Sequence, residues 1–389
     1  MSGSREGTPQ GYRWQIAAVC VGMLLFLGNM TAFLPILPLY LTQRWGFQVP
    51  VGWVVGAFAL GVLVSRPLVG WALDHWGRKP LLWLGLGLAL ICHPLYSWAP
   101  EWGILTWVRL LHGIGLACFA TASHTLVADL SPPTERVSAL GYLAMANTLG
   151  FGLGPTLASR WFAQGGFPLA VQGLGVLLGV ATFCVLLVPR VMPGKQTPTK
   201  PGSPTGRSWQ YLLRYPVREA TFFVFVISAL HGVVTTYVPL WIPKADPFYG
   251  VYALGAVVVR FSLGRWGERL PAYLGGAIAL ISSGVGVMGL ALGPDWLILW
   301  AFLYGVGFGM LFPVMSALVS LATPSAERGR VFGLFLTGVD LGVAVGSTGL
   351  EVALTWLPLG TLFLASGGLA VSQGWVAYRQ LQGPRVTSA

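Results

Sequence analysis

The chain has 389 residues, of which 55% are hydrophobic and only 9% charged, with Gly 53, Pro 27 and Trp 17 and a mean hydropathy of +0.70. A water-soluble domain carries about 25% charged residues, so an ordinary soluble globule is excluded. The formal charge of +11 is scattered between apolar blocks, which reads as membrane topology and not as a groove tracking nucleic-acid phosphates.

A helix that crosses a bilayer needs about 20 mostly apolar residues, and the chain offers a succession of such blocks. After a polar start, Met1 to Arg13, the first runs from Trp14 to Leu41, too long for the core of a cleavable signal and therefore a first span. Val51 to Leu73, Pro80 to Trp98, Leu105 to Ala128, Val137 to Trp161 and Phe167 to Val188 complete the first six. A linker, 189–219, follows. It is rich in Pro, Gly, Ser and Thr and carries Arg190, Lys195, Lys200, Arg207, Arg214 and Arg218, so it has little to bury. Ala220 to Trp241, Phe248 to Leu263, Ala272 to Leu292, Trp296 to Ala322, Val331 to Trp356 and Leu359 to Ala377 make the second six. Block length and the absence of period-2 alternation favour helices over a barrel. The expected architecture is all-α and integral to the membrane: a six-helix bundle in 1–188, the linker, and a second in 220–389. Cys20, Cys92, Cys118 and Cys184 all fall inside apolar blocks and read as small core residues.

Basic residues lie mostly on one side. Arg5, Arg13, Arg78, Lys79, Arg136, the linker cluster, Arg265, Arg269, Arg328, Arg330, Arg379 and Arg385 fall there, against Arg44, Arg160 and Lys244 on the other. The side rich in Lys and Arg is cytoplasmic, which puts both termini and the linker in the cytoplasm.

The two halves repeat one another. Arg66-Pro-Leu-Val-Gly70 recurs as Arg260-Phe-Ser-Leu-Gly264 at an offset of 194, and Glu135-Arg136 with Gly141 recurs as Glu327-Arg328 with Gly333 at an offset of 192. Gly113 and Gly154 map by the same 192 onto Gly305 and Gly346. A duplicated six-helix unit is a recurrent build of secondary transporters, with a substrate site near mid-membrane.

Span 2 ends in Gly70-Trp-Ala-Leu-Asp74-His-Trp-Gly77-Arg78-Lys79-Pro80. Here Gly70 is expected to let two helices approach and Gly77 to permit a tight turn. The segment resembles the Gly-x-x-x-Asp-x-x-Gly-Arg-Lys signature of the major facilitator superfamily, between its second and third helices. Arg109-Leu-Leu-His112-Gly113 in span 4 resembles that family's Arg-x-x-x-Gly motif. Gly150-Phe-Gly152-Leu-Gly154-Pro155 in span 5 resembles the glycine-proline motif of its antiporters. The resemblance covers the whole chain and points to the bacterial drug/proton-antiporter and sugar-efflux branch. It implies twelve helices in two pseudo-symmetric bundles that work by alternating access, usually as a monomer, in the cytoplasmic membrane. It also implies that Asp74 and Arg78, with Asp129 at the end of span 4, latch the halves, and that Gly154-Pro155 bends span 5.

Ionisable groups inside spans are expensive and therefore functional candidates. Arg109 lies about 6 to 9 Å deep from the outer side, with His112 on its face three residues on. Asp340 is the carboxylate nearest a span centre, about 13 Å into span 11, and suits reversible protonation. A histidine free of perturbation titrates near neutrality, which makes His231 in mid-span 7 a candidate, and Asn29, Thr235 and Tyr237 can hydrogen-bond a substrate. Span 1 has Asn29 but no acid, unlike many proton-coupled relatives, so coupling falls to Asp340 or a histidine. Arg109, His112 and His231 against Asp340 lean basic, favouring an anionic or zwitterionic substrate.

The expectation is a secondary transporter exporting a small amphipathic molecule, with the proton as coupling ion and no cofactor or metal. Its partners are that molecule and membrane lipid, not nucleic acid. Uptake or facilitated passage of a sugar-like or organic-anion solute, and movement of lysolipid-like amphipaths, are the alternatives. A membrane-embedded enzyme or a non-transporting receptor is remote, since no His-Glu-x-x-His, Gly-x-Ser-x-Gly or nucleotide loop occurs.

Overall fold

The computed structural model describes residues 9–46, 48–132, 135–188, 210, 213–242, 245–266, 270–323 and 328–382. Among the described residues, ten helices are long and apolar enough to cross a membrane, and a shorter apolar helix spans Pro247–Leu263. In a bilayer core the backbone must satisfy its own polar groups, and an apolar run does so by coiling.

The first four helices are α1 (Pro9–Trp45), α2 (Val51–Trp76), α3 (Arg78–Trp98) and α4 (Trp102–Leu130). Next comes one helical stretch of 52 residues, Arg136–Leu187, about 78 Å long and hence enough for two crossings of a hydrocarbon core about 30 Å thick. Non-helical dihedrals at Gly165 and Gly166 break it into two limbs, α5 (136–164) and α6 (167–187). Then follow α7 (Val217–Trp241), α8 (Asp246–Trp266), α9 (Ala272–Leu290) and α10 (Leu297–Ala322). The eleventh, α11, runs Arg328–Ala344, passes through a π-helical turn at Val345–Gly349 and ends with Leu350–Leu354. The last, α12, is Leu359–Gln382. The twelve spans read from the sequence correspond to these twelve helices. Most of the linker, 189–209 and 211–212, lies outside the described residues, as do Arg5, Lys244, Arg269, Glu327 and Arg385 and the side chains of Arg265, Arg328 and Arg330.

The packing divides into two compact units, Met1–Ile36 with Val64–Thr197, and Leu37–Leu63 with Pro198–Ala389. The hairpin formed by the end of α1 and the start of α2 thus packs with the second unit. In the first unit α3 lies against α4, and Phe26, Phe33, Tyr96 and Phe119 are fully buried. In the second, α12 and α10 lie against α9, α10 against α8, and α11 against α7, around Tyr237, Phe248, Tyr249, Tyr252, Tyr304 and Phe335. The opposite of a soluble surface faces outward: Trp98 is 70% exposed and Trp356 83%, as expected for aromatic side chains near helix ends at a membrane interface.

The duplication is visible in how helices touch. A Cβ on Gly154 of α5 would collide with the carbonyl oxygen of Gly28 in α1, and one on Gly346 of α11 would collide with that of Ala229 in α7. These glycines, 192 residues apart, serve the same purpose in each unit: without a side chain, two backbones come close enough for dispersion contact where no hydrophobic drive between helices exists. Dihedrals stay helical through Gly154 and Pro155, and the non-helical break comes later, at Gly165 and Gly166. One expectation about glycine needs correcting. A Cβ on Gly70 would meet nothing within 4 Å, so Gly70 does not hold a close helix contact here. Gly77 does provide the tight turn between α2 and α3, with φ of 85°, a left-handed conformation that costs other residues energy.

Candidate functional site

Two buried polar networks form, one in each unit. In the first, α1, α3, α4 and α6 converge on Phe33, which is fully buried and stacked on Tyr96 with centroids 4.1 Å apart. The Asn29 amide nitrogen donates to the Leu174 carbonyl at 2.8 Å and lies 3.1 Å from His93 Nε2. His93 Nδ1 lies 3.1 Å from the Ala89 carbonyl. A carbonyl only accepts, so Nδ1 carries the proton; an amide NH2 only donates, so Nε2 is bare. His93 is therefore a neutral imidazole wedged between helices. The Asn29 side-chain oxygen is buried and has no hydrogen-bond partner among the described residues.

Tyr96, His112 and Arg109 are all 0% exposed, and the His112 ring lies edge-on to Phe33 with centroids 5.5 Å apart. Arg109 Nη1 donates to the Tyr96 hydroxyl at 3.5 Å, and that hydroxyl lies 3.0 Å from His112 Nδ1. Through that hydroxyl Arg109, Tyr96 and His112 form one connected set of hydrogen bonds. The result is a permanent positive charge, neutral hydrogen-bonding groups beside it, and a dry aromatic wall. Low dielectric strengthens the field of such a charge.

In the second unit, α7, α8 and α10 bring aromatic rings around His231. Its Nδ1 shares a hydrogen bond of 2.7 Å with the Tyr304 hydroxyl, and its ring stacks on Phe308 at 4.3 Å. Tyr304 lies 192 residues beyond His112, so the duplicated position is polar in both units but filled by different chemistry. Thr235 turns its hydroxyl back to the His231 carbonyl of its own helix at 2.8 Å. Thr236, which is fully buried, has no partner for its hydroxyl among the described residues, and neither does Tyr249. Tyr237 has other partners: its hydroxyl donates to the Ser347 carbonyl at 2.8 Å and to Glu351 at 3.2 Å. Asp340 is buried in α11, 9% exposed.

The structure thus links Asn29 to His93, and Arg109 and His112 to Tyr96, with the rings of His93, Tyr96 and His112 all against Phe33, and gives His231 and Tyr237 different partners. Sequence reasoning passed over His93 and Tyr96 in span 3, and Glu351 near the end of span 11. Both polar residues of span 3 lie five or fewer positions from Trp98, where they read as interface residues; only the fold turns them inward. Glu351 was visible as a charge inside an apolar block.

At the other end of the first unit, Arg78 Nε donates to Asp129 Oδ2 at 2.7 Å, joining the start of α3 to the end of α4. The Lys79 ammonium donates to the Val188 carbonyl at the end of α6. Asp74 completes the signature in sequence, but its side chain lies outside the described residues. The Arg78 side chain is only 9% exposed, so removing its partner leaves a mostly desolvated guanidinium. Asp129→Asn is expected to cost about 1–3 kcal/mol, measured as a lower melting temperature. In a double-mutant cycle with Arg78→Gln most of that cost should appear as coupling. Near the start of α5, the Tyr12 hydroxyl and the Arg13 guanidinium hold the Glu135 carboxyl below the usual carboxylate range.

Comparison with known proteins gives one family throughout. The family model for the Major Facilitator Superfamily matches residues 19–346 and again 248–386. The MFS-type transporter YhhS of Salmonella typhimurium is 25% identical over 409 residues, covering 97% of this chain and 96% of that protein. The staphylopine export protein of Staphylococcus aureus is 23% identical over 352 residues, 86% of this chain and 87% of its own length. Among solved structures, a D-xylose-proton symporter superposes with a TM-score of 0.76 at 16% identity, covering 95% of this chain and 98% of that one. The nucleoside transporter NupG superposes at 0.72 and 14%, covering 94% and 99%. At such identities the solved structures speak for the fold.

Proposed function

This chain belongs to the Major Facilitator Superfamily, a multi-pass membrane transporter and not an enzyme, and on that footing we propose that it exports a small amphipathic molecule of anionic or zwitterionic character in exchange for protons. The observation that carries the substrate class is Arg109, a fully buried guanidinium held by Tyr96 beside His112. A permanent charge in a low-dielectric setting attracts an opposite charge more strongly than any exposed lysine, and the rings of Phe33 and Tyr96 suit an apolar body. Export is supported by the likeness to the staphylopine exporter over most of the chain. Both termini face the cytoplasm in this reading, because the loops on their side hold most of the Lys and Arg.

Asp340 and His231 are the proposed proton carriers. Both are buried and both lie on helices of the second unit, α11 and α7. Asp340→Asn is expected to keep substrate binding within about threefold while abolishing flux driven by a pH gradient, since a general proton carrier that cannot ionise removes the coupling and not the site. His231→Gln, which keeps a hydrogen-bonding group toward Tyr304, separates that bond from titration. The check is uptake into inverted vesicles with and without an imposed pH gradient. Unchanged gradient-driven flux in both variants would remove these two residues from the coupling path.

A further inference from the structure

Another polar contact lies away from both networks, where α2 begins. The backbone N–H of Gly52 donates to Glu351 Oε2 at 2.6 Å, and the Tyr237 hydroxyl donates to the same oxygen at 3.2 Å. Tyr237 also bonds the carbonyl of Ser347 at 2.8 Å, a residue of the π-helical turn in α11. Such turns disturb the regular ladder of a helix and recur at functional sites. Glu351 follows one turn later and carries its carboxylate to the N-terminus of α2, where orphan amides and the helix dipole favour an anion.

Two glycines make the approach possible. A Cβ on Gly52 would overlap the Ser347 carbonyl and stand 2.6 Å from both Glu351 Oε2 and the Tyr237 hydroxyl, and one on Gly56 would overlap the methyl of Thr348. Neither position is a turn, so the lack of a side chain serves contact alone. Helix α2 is also divided in its packing: up to Leu63 it belongs with the second unit, and from Val64 onward with the first. A continuous helix shared in this way must either bend or let go at one end whenever the two units move. Packed interfaces are bistable and not continuously deformable, and a hydrogen bond between a carboxylate and an amide is likewise either made or broken.

We propose that Glu351 is the anionic cap that docks the head of α2 onto α7 and α11, a latch that lets go in each transport cycle. It rests on the reading of the chain as an alternating-access transporter, but its test reads a distance and not a flux, so the two fail separately. Spin labels at Gln48→Cys and Trp356→Cys, both exposed positions, report the separation of the head of α2 from the end of α11 in the full chain in lipid nanodiscs. The unmodified latch gives mainly the short distance. Glu351→Ala is expected to shift the ratio of short to long by about tenfold or more toward long, the loss of one charge-assisted hydrogen bond. Glu351→Gln, isosteric and still able to accept from Gly52, shifts it about threefold, because a neutral acceptor bonds about half as strongly. Gly52→Val displaces the helix head whatever stands at position 351. Val352→Ala, on a side chain 60% exposed, leaves the distribution unchanged. A distribution for Glu351→Ala and Glu351→Gln the same as that of the parent would overturn the proposal, even if transport were intact.

Discussion

Replacing Arg109 with glutamine is expected to weaken substrate binding by about tenfold to a hundredfold, the worth of a charge-assisted hydrogen bond in a dry site. Lysine should recover only part of this. Its ammonium keeps the charge but not the planar fork that reaches the Tyr96 hydroxyl with one nitrogen while turning others elsewhere. The charge sits at the Tyr96 hydroxyl and is fully buried, so no solvent reorganises to replace it. Equilibrium binding of a labelled anionic amphipath to purified protein measures the effect. Tyr96→Phe provides the complementary variant: the ring remains on Phe33, the hydroxyl bridging Arg109 to His112 is lost, and affinity should fall less than in Arg109→Gln. If Arg109→Gln bound as tightly as the parent, the guanidinium would be a strut between helices and not a ligand.

The second large effect concerns stability. Gly154→Val and Gly346→Val each drive a branched side chain into a backbone carbonyl, of Gly28 and Ala229 respectively, and backbone cannot rotate away as a flexible side chain does. Each is expected to cost about 1–3 kcal/mol or more, the usual range for forcing volume into a filled site, and to lower the melting temperature in detergent. Because the two positions are duplicates, the two losses should be similar. Gly70→Ala supplies the contrast: with nothing within 4 Å of its Cβ, it should change stability by less than about 0.5 kcal/mol. Equal destabilisation by all three variants would mean that helix propensity, and not helix contact, governs these glycines.

The spans were legible because a bilayer imposes one rule on every segment, and twelve apolar blocks obey it with little dependence on tertiary context. Even the break between α5 and α6 was foreshadowed by the gap from Trp161 to Phe167, where Gly165 and Gly166 fall. The duplication was legible for a similar reason: glycines that serve the same helix contact keep the same spacing, as Gly154 and Gly346 do. Arg109 and His112 stood out because polar groups are rare in such blocks. Their surroundings did not. His93 meets Asn29 across 64 positions of chain, and nothing in the local pattern of span 3 separates an inward histidine from one at a helix end. Glu351 lies near the end of its span, and depth along a span does not reveal burial against another helix. Its position near the end of α11 matters for another reason: the next helix to begin nearby is α2, 299 positions back. Gly70 misled in the other direction, since a glycine in a signature need not be a glycine in a contact. The helix carries the Gly154-Pro155 pair without leaving helical dihedrals, as a membrane helix can when neighbours support its freed groups.

The central claim is proton-driven movement of an anionic or zwitterionic amphipath, and one measurement tests it most directly. The purified chain is placed in liposomes that enclose a pH-sensitive dye, a pH gradient is imposed, and cationic, zwitterionic and anionic amphipaths and sugars are added in turn. The account predicts proton movement that depends on the anionic or zwitterionic compounds and is lost in Arg109→Gln. Proton movement driven by the cationic compounds alone, or substrate flux that leaves the internal pH unchanged, would contradict it.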